Sequence, residues 1–265
     1  MIDFETLETL AVELDNFTAY VTLNRPDVKN AMNIKMVEEI TEVFRALHDN
    51  RTIRCVVLAG AGGTFCAGGD IKEMKTKSVP GNGSRINLDV MLRTVNESAQ
   101  VVIAKVEGAA LGGGLGLVCV SDIAIASETA KMGLPEVRLG VSPAYISPYV
   151  IQRIGLTRAR ELMMTGRRFD GIKALEYGFV HVACSPEELE HCIEVELDEI
   201  RQCAPGAIAA TKELIFAVYD TPLDDTVEYR ANLLNTLRSS EEAQEGMHAF
   251  IEKRPATWVT GDNKL

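Results

Sequence analysis

The hydrophobic positions in the first two thirds of the chain follow two kinds of pattern. The β-rich segment Thr18–Leu23 ends just before Pro26, which lacks the N–H group that a strand needs. Between residues 31 and 48, apolar side chains recur every three or four positions, which predicts a helix. Short continuous apolar runs predict strands buried on both faces at Cys55–Ala59, Val101–Val106 and Ile123–Ala126. Because strands alternate with helices, we expect an α/β protein with parallel βαβ units.

The last third of the chain is predicted to be mainly helical. Only Phe179–Ala183 has the pattern of a strand there. Helical periodicity occurs at Gly171–Tyr177, Glu187–Ala204, Ala207–Tyr219, Asp225–Ser239 and Glu241–Glu252. Earlier in the chain, the segment Thr76–Ser84 is rich in turn-forming residues and predicts a mobile loop that could act as a lid. Apolar spacing from Ile86 to Ala99 predicts a helix after it.

Composition and charge narrow the class of protein. The 265 residues are 46% hydrophobic with a mean hydropathy of +0.04, which fits one globular domain and excludes disorder. No apolar run reaches the roughly 18 residues that cross a bilayer, and the N-terminus is acidic, unlike a signal peptide, so we expect a cytoplasmic protein. A net charge of −11 without a basic run argues against nucleic-acid binding.

The cysteines and histidines give no sign of a metal site or a disulfide framework. Six cysteines are scattered with no C-x-x-C pair, and four histidines are equally dispersed. We therefore expect reduced thiols and histidines with structural or solvated roles.

Two glycine-rich segments are candidates for binding an oxyanion. Residues 65–72 (FCAGGDIK) and 108–116 (GAALGGGLG) each follow a predicted buried strand and lead into a predicted helix. Both can therefore present unpaired backbone N–H groups at the start of a helix. Two such groups aimed at one point would polarise a carbonyl oxygen and stabilise an enolate. Glycine turns that merely connect a parallel sheet explain either segment taken alone.

A third segment contains a candidate acid–base group. In residues 132–140 (MGLPEVRLG), Glu136 follows a proline among apolar neighbours. A carboxylate after proline is favourable in the first turn of a helix, so Glu136 could be only a helix-start residue. A carboxyl group held in an apolar pocket would instead have a raised pKa, as a general base at neutral pH requires. The spacing alone leaves both interpretations open.

These three segments, in this order, resemble the crotonase or enoyl-CoA hydratase/isomerase superfamily. The matching stretches are FCAGGDIKEM, KVEGAALGGGLGL and SDIAIASETAKMGLPEVRLGVSP, with LNRPDVKNAM upstream and GRRFDGIKALEYGFVHVA and EGMHAFIEKRPATW downstream. The resemblance covers essentially the whole chain. It implies a ββα superhelix over residues 1–200, and a helical region over residues 201–265 that mediates assembly into a homotrimer or a homohexamer.

The resemblance also implies roles for individual residues. The backbone N–H groups of Gly69 and Gly113 would form the oxyanion hole for an acyl-CoA thioester, beside Glu136 as the acid–base group. The expected substrate-binding residues are Val28, Ala31, Ala67, Asp70, Ile71, Lys72, Gly112, Gly116, Pro135, Tyr145, Phe250 and Lys253. Lys72, with Lys29 nearby, is a candidate counter-charge for CoA phosphates. In many relatives, the positions of Phe250 and Lys253 reach the CoA site, sometimes that of a neighbouring subunit.

One residue departs from the pattern of the best-known hydratases. These enzymes use two glutamates, and the first would stand at the position of Gly116. A single carboxylate at Glu136 suits an enoyl-CoA isomerase. A hydratase is also possible if Ser142, Tyr145 or Ser147 replaces the missing acid, or if the substrate supplies its own carboxylate. Loop hydrogen bonding is the alternative role for these hydroxyls, and a non-catalytic acyl-CoA-binding protein is a further alternative.

The stretch after Glu136 favours a hydratase. Residues 135–155 (PEVRLGVSPAYISPYVIQRIG) resemble hydratases of branched glutaconyl-CoA thioesters, which act in leucine and acyclic-terpene breakdown. Our leading hypothesis is therefore a hydratase of a 3-methylglutaconyl-like or isohexenylglutaconyl-like CoA thioester. The resemblance implies no metal and no redox cofactor. A dinucleotide site is disfavoured, because GAALGGGLGL lacks the G-x-G-x-x-G spacing.

Overall fold

The computed structural model of the chain describes residues 3–76 and 87–260. Its strands are β1 (Leu10–Asp15), β2 (Thr18–Leu23), β3 (Cys55–Gly60), β4 (Val101–Val106), β5 (Ala109–Leu111), β6 (Ile123–Ser127), β7 (Lys131–Gly133), β8 (Arg168–Phe169) and β9 (Val182–Cys184). Its α-helices are α1 (Ile34–His48), α2 (Ile71–Thr76), α3 (Leu88–Asn96), α4 (Gly113–Val120), α5 (Ser147–Thr165), α6 (Gly171–Tyr177), α7 (Leu189–Arg201), α8 (Pro205–Tyr219), α9 (Val227–Arg238), α10 (Glu241–Glu252) and α11 (Thr257–Thr260). A 3-10 helix at Pro135–Leu139 carries the candidate acid–base residue.

The larger sheet has the strand order β1-β2-β3-β4-β6-β9. Strands β1 and β2 form an antiparallel hairpin, in which Leu10 pairs with Leu23. All later neighbours in this sheet are parallel, with Thr18 beside Cys55 and Cys55 beside Val101. The expected parallel βαβ arrangement is therefore present, with the crossover helices on one face of the sheet and α7, which follows β9, on the other.

Side chains alternate between the two faces of the central strands, as strand geometry requires. On β3, Val56 and Leu58 point into the main core, which they share with α1, α3 and α4. Cys55 and Val57 point to the opposite face, where they pack with α7. This strand is buried on both sides, which is why its sequence is a continuous apolar run without polar alternation.

A second sheet of three short strands positions the candidate site. Its order is β5-β7-β8, with β5 and β7 parallel and β7 and β8 antiparallel. Leu111 at the end of β5 pairs with Gly133 at the end of β7. Gly112 and Leu134, where the two chains leave these strands, are therefore also neighbours, and both lead directly into residues of the site.

Several helix boundaries follow from capping. Helix α1 begins at Ile34, because the side chain of Asn33 accepts a hydrogen bond from the N–H of Met36. Asn87 caps α3 in the same way through Val90. The helix predicted from Ile86 is therefore α3, starting at Leu88, whereas Ile86 and residues 77–84 of the predicted lid lie outside the described residues.

The remaining differences from prediction are mostly short strands. Strand β1, the three strands of the smaller sheet and the long helix α5 were not predicted, and the strand expected at Phe179–Ala183 begins only at Val182. Within the described residues, no helix combines the length and the apolar character needed to cross a bilayer. The division into residues 1–200 and 201–265 stays a prediction.

Candidate active site

A cavity of about 880 Å³ opens where the two glycine-rich segments meet the 3-10 helix. Its lining consists of Met32, Asn33, Ile34 and Val37 near the start of α1, residues 67–71 with Glu73, Asn87 and Leu88 at the start of α3, residues 111–113 at the end of β5, Pro135, Glu136, Arg138, Leu139 and residues 141–146, and Arg168 from β8. Most of these side chains are apolar. The size is that of a site for a small-molecule ligand.

The two glycine-rich segments are held together by their backbones. Cys66 donates its N–H to Ala109 and accepts from the N–H of Leu111, which makes a parallel bridge between the segments. A Cβ on Gly114 would lie 2.5 Å from the carbonyl oxygen of Cys66, and one on Gly68 would lie 3.0 Å from that of Leu111. Only glycine permits this close approach.

Gly69 and Gly113 both line this cavity. The flanking peptides of Gly69 are fixed, because Met32 donates to Gly68 and Asp70 donates to Met32. Gly113 is the first residue of α4, where the N–H has no partner within the helix. Among the described residues, neither N–H has a hydrogen-bond acceptor. Both are therefore available to a ligand oxygen.

Met32 connects the two donors, although the sequence did not single it out. Its backbone bridges Gly69, and a Cβ on Gly113 would lie only 2.5 Å from its Cε. Met32 is buried, at 6% exposure. It therefore fixes one donor through hydrogen bonds and contacts the other through its side chain.

Glu136 lies beside these donors, on the second residue of the 3-10 helix. A Cβ on Gly112 would be 2.9 Å from its Oε1, so the carboxyl group sits against the residue that precedes the Gly113 donor. Its Oε2 is buried without a hydrogen-bond partner in the part of the chain that the structure describes. A buried carboxylate oxygen without a partner, on a residue that lines a cavity, is suited to accept a proton from a ligand.

Burial raises the pKa of Glu136, and a hydrogen bond from its own backbone opposes this only in part. The sequence left open whether Glu136 is a helix-start residue or a buried acid. The structure combines the two, because Pro135 does start the 3-10 helix and the carboxyl group does face an apolar cavity.

The position expected for the first of the two glutamates, that of Gly116, is closed. Gly116 is buried on α4, and a Cβ there would lie 2.3 Å from Cγ2 of Ile146 and 3.7 Å from Cδ2 of Leu92. Ile146, which is 2% exposed, comes from the loop before α5 and also lines the cavity. An apolar side chain therefore occupies the space into which a carboxylate at position 116 would project.

The three candidate hydroxyls are placed differently. Ser142 and Tyr145 line the cavity. Ser147 does not, because it starts α5 and donates its hydroxyl to the carbonyl of Ala144. Loop hydrogen bonding thus accounts for Ser147, whereas Ser142 and Tyr145 face the space that a ligand would fill.

The structure brings most of the predicted site residues to one cavity, lined by Ala67, Gly69, Asp70, Ile71, Gly112, Gly113, Pro135, Glu136 and Tyr145. The other predicted positions lie outside its lining: Val28, Ala31, Lys72, Gly116, Phe250 and Lys253. Phe250 is 86% exposed on α10. Asp70 is held in place, since it accepts from Arg25 and from the N–H of Lys72.

Two further lining residues, Arg138 and Arg168, were not singled out in the sequence. Arg138 stands two positions after Glu136, so its proximity could have been noticed. Arg168 is brought in by the pairing of β8 with β7, which no local pattern reveals. Among the described residues, there is no cluster of His, Cys, Asp and Glu that could hold a metal ion.

Comparison with known proteins gives consistent matches. A family profile described as "Enoyl-CoA hydratase/isomerase" matches residues 13–261. The "Probable enoyl-CoA hydratase echA8" of Mycobacterium bovis is 34% identical, over 94% of this chain and 97% of its own length. The "(E)-benzylidenesuccinyl-CoA hydratase" of Thauera aromatica is 30% identical, over 92% and 96%. The solved structure of Pseudomonas aeruginosa AtuE superposes with a TM-score of 0.90 at 43% identity, covering 95% of this chain and 100% of that one.

Proposed function

Because this chain belongs to the enoyl-CoA hydratase/isomerase family, we propose that it adds water across the double bond of an α,β-unsaturated acyl-CoA thioester. Family membership confirms the crotonase fold and the enzyme class predicted from the sequence. The observation that carries the proposal is the arrangement at the cavity. The partnerless carboxylate oxygen of Glu136 shares it with the unpaired N–H groups of Gly69 and Gly113.

The chemistry follows from these three groups. Glu136 takes a proton from water as the water oxygen bonds to C3 of the acyl group. The electrons of the C2–C3 double bond move toward the thioester carbonyl, which becomes an enolate. The N–H groups of Gly69 and Gly113 donate to the enolate oxygen and stabilise the charge that develops there.

The second half of the reaction returns the proton. Protonated Glu136 delivers it to C2, the enolate reverts to a carbonyl, and the carboxylate is regenerated. One carboxylate is then enough for the addition of H and OH, which agrees with the apolar Ile146 beside Gly116. The pKa of Glu136, raised by burial, suits both the acceptance and the return of the proton. We propose no metal and no redox cofactor, since backbone dipoles stabilise the enolate.

For the acyl group we propose a branched glutaconyl type, which carries a second carboxyl group. Two observations support this choice. Residues 135–155 resemble hydratases of such thioesters. In addition, one relative is named for a succinyl thioester, (E)-benzylidenesuccinyl-CoA, which also has a free carboxyl group.

We also propose a homotrimer or homohexamer as the assembly. Exposed large apolar residues on the C-terminal helices support it, including Ile215, Val227, Leu234, Phe250 and Ile251. In such an assembly Phe250 and Lys253, which lie outside the cavity of their own chain, would be placed at a neighbouring CoA site. The sedimentation coefficient of the purified protein tests the assembly.

The experiment that tests the reaction is product analysis by mass spectrometry in H₂¹⁸O. The purified enzyme is incubated in parallel with crotonyl-CoA, a 3-enoyl-CoA and 3-methylglutaconyl-CoA. We expect a labelled hydroxyl group on the 2-enoyl thioesters, with 3-methylglutaconyl-CoA giving the highest kcat/KM. Double-bond migration without uptake of label would show an isomerase. Binding of all three thioesters without turnover would show a protein that has kept only the binding site.

A further inference from the structure

Two arginines, Arg138 and Arg168, line the same cavity as Glu136. Arg168 is the first residue of β8 and pairs with Gly133, which lies three residues before Glu136. Gly133 pairs in turn with Leu111, next to Gly112 and the Gly113 donor. Two strand spacings put the backbone of Arg168 about 10 Å from that of Leu111, and an arginine side chain covers most of such a distance.

Arg138 approaches the same side from the 3-10 helix. Its Nε donates to the carbonyl of Thr165 at 3.2 Å, and its Cγ lies 3.0 Å from where a Cβ on Gly166 would be. The aliphatic part of the Arg138 side chain therefore packs against the turn just before β8. Its terminal Nη atoms make no hydrogen bond to the residues that the structure describes.

Neither arginine has a carboxylate partner in residues 3–76 and 87–260, although the protein is acidic overall. Three acids share the cavity: Glu136 forms no ion pair with either arginine, and the other two are engaged elsewhere. Asp70 accepts from Arg25, and the Oε2 of Glu73 accepts from the N–H of Ile34 at 2.7 Å. Two guanidinium groups that line one cavity without an anionic partner are free to form charge-assisted hydrogen bonds with an anionic ligand.

The position of Glu136 indicates which part of the substrate lies near these arginines. A base that acts at C2 and C3 must stand on the acyl side of the thioester carbonyl held by Gly69 and Gly113. Arg138 follows Glu136 by two residues on the 3-10 helix, and Arg168 pairs with Gly133, three residues before Glu136, so we place both arginines toward the acyl group.

We propose that Arg138 and Arg168 bind the distal carboxylate of a dicarboxylic acyl-CoA and so select it over a monocarboxylic one. The inference rests on the proposed function, because it assumes that an acyl thioester occupies the cavity. Guanidinium groups form paired, charge-assisted hydrogen bonds with a carboxylate, which makes them suited to this recognition.

The test measures binding separately from turnover. Calorimetry gives the dissociation constants of glutaryl-CoA and butyryl-CoA, which are saturated and do not react, and of free CoA. We expect the wild type to bind glutaryl-CoA about tenfold more tightly than butyryl-CoA, as charge-assisted bonds to one carboxylate would give. In the double variant Arg138→Gln/Arg168→Gln, the ratio of the butyryl-CoA to the glutaryl-CoA dissociation constant should fall to about one, and the dissociation constant of free CoA should not change.

A matched control is Arg167→Gln. Arg167 is adjacent to Arg168 and ion-paired with Glu161 at 3.2 Å, but it does not line the cavity. It should leave the ratio unchanged. Circular dichroism and the melting temperature establish that each variant is folded.

Three results would overturn the inference. One is a glutaryl to butyryl ratio near one in the wild type, and another is an unchanged ratio in the double variant. The third is an equal weakening of all three ligands in that variant, which would place the arginines at the CoA phosphates. Failure of the proposed function is a separate outcome, in which no thioester gains ¹⁸O although the binding ratio and its loss in the double variant are observed.

Discussion

The two walls of the cavity are built on different principles. One, which we call the glycine wall, consists of residues 67–70 and 111–113 and presents backbone N–H groups. The other, which we call the acyl wall, consists of residues 135–146 with Arg168 and presents side chains. Backbone groups fixed by sheet pairing can hold an atom that every substrate shares, the thioester oxygen. Side chains on a short helix and a loop can match whatever differs between substrates.

Packing shows the same contrast. Added Cβ atoms would meet backbone atoms of the partner segment at Gly68, on the glycine wall, and at Gly114, the residue after it. On the acyl wall, Leu139 and Val141 are 61% and 47% exposed. We infer that the glycine wall tolerates little change, whereas the acyl wall can vary without loss of the fold. Glu136 is the exception, since it belongs to the acyl wall but in the proposed reaction acts at the carbon atoms next to the carbonyl that the glycine wall binds.

The largest effect is expected from Glu136→Gln. Glutamine keeps the shape of the side chain but cannot take up the proton of water. Turnover should therefore fall by about 10²–10⁴-fold, the usual contribution of a general acid–base group. Single-turnover kinetics measure the loss. The dissociation constant of butyryl-CoA serves as the control and should stay within about threefold, because the glycine wall is intact. Turnover at the wild-type rate would contradict the role of Glu136.

The next effect is expected at Gly112, where the walls meet. Its φ of +53° and ψ of −122° are unfavourable for alanine, and the added Cβ would lie 2.9 Å from Oε1 of Glu136. Gly112→Ala should displace the carboxylate and lower kcat by about 10²-fold, the scale of a misplaced catalytic group. A crystal structure of the variant would measure the displacement.

Gly63→Ala is the control for this substitution. Gly63 also has a positive φ, +68°, but nothing lies within 4 Å of its Cβ position, and it is not in the cavity. It should lose some stability and keep its turnover. Equal losses of kcat in the two variants would show that strain alone, and not contact with Glu136, is responsible.

A smaller effect is expected from pH. Burial raises the pKa of Glu136 above its ordinary value of 4.5, and the reaction needs the ionised form. The value of kcat/KM should therefore rise with pH through that raised pKa and level off above it, with a tenfold change per pH unit on the acid side. Initial rates from pH 4 to pH 8 give the profile. If the residual activity of Glu136→Gln still rose with pH over the same range, the pH dependence would belong to a group other than Glu136.

Sequence patterns predicted the elements that show either a continuous apolar run or a clear helical periodicity. The continuous apolar run at β3 and the spacing along α1 each match a single element, because burial on two faces or on one helical face leaves a clear signature. Strands β5, β7 and β8 have at most three residues each, too few for any period to appear. Their pairing depends on contacts between distant segments.

The candidate site divides in the same way. The glycine segments and Glu136 could be found, since their residue types are unusual after a strand. Arg168 could not, because only the pairing of β8 with β7 brings it to the cavity. The contact of Ile146 with Gly116 could not be predicted either, because it depends on the absence of a side chain at position 116 of α4. Local sequence therefore indicated the chemistry, and the tertiary contacts that shape the acyl wall became visible only in the structure.

The smallest effect on turnover is expected at this last contact. Gly116→Ala would place a Cβ 2.3 Å from Cγ2 of Ile146, and such overpacking lowers the free energy of unfolding by about 1–3 kcal/mol. Ile146→Ala should cost about 2–5 kcal/mol through the cavity that it leaves. Ile146→Ala removes the atoms that a Cβ at position 116 would meet, and Gly116→Ala fills part of the cavity that Ile146→Ala leaves. The double variant should therefore be more stable than the sum of the two losses implies. Urea unfolding of the four proteins measures the difference.

The kcat of Gly116→Ala shows whether the contact between Gly116 and Ile146 serves packing alone or also catalysis. If Ile146 only fills the space beside Gly116, then Gly116→Ala should keep kcat within about threefold once its folded fraction is taken into account, because no proton-transfer group is changed. Additive stability losses would contradict the direct contact. A loss of kcat as large as that of Glu136→Gln would mean that the closed space beside Gly116 takes part in positioning the substrate, and the acyl wall would then be as intolerant of change as the glycine wall.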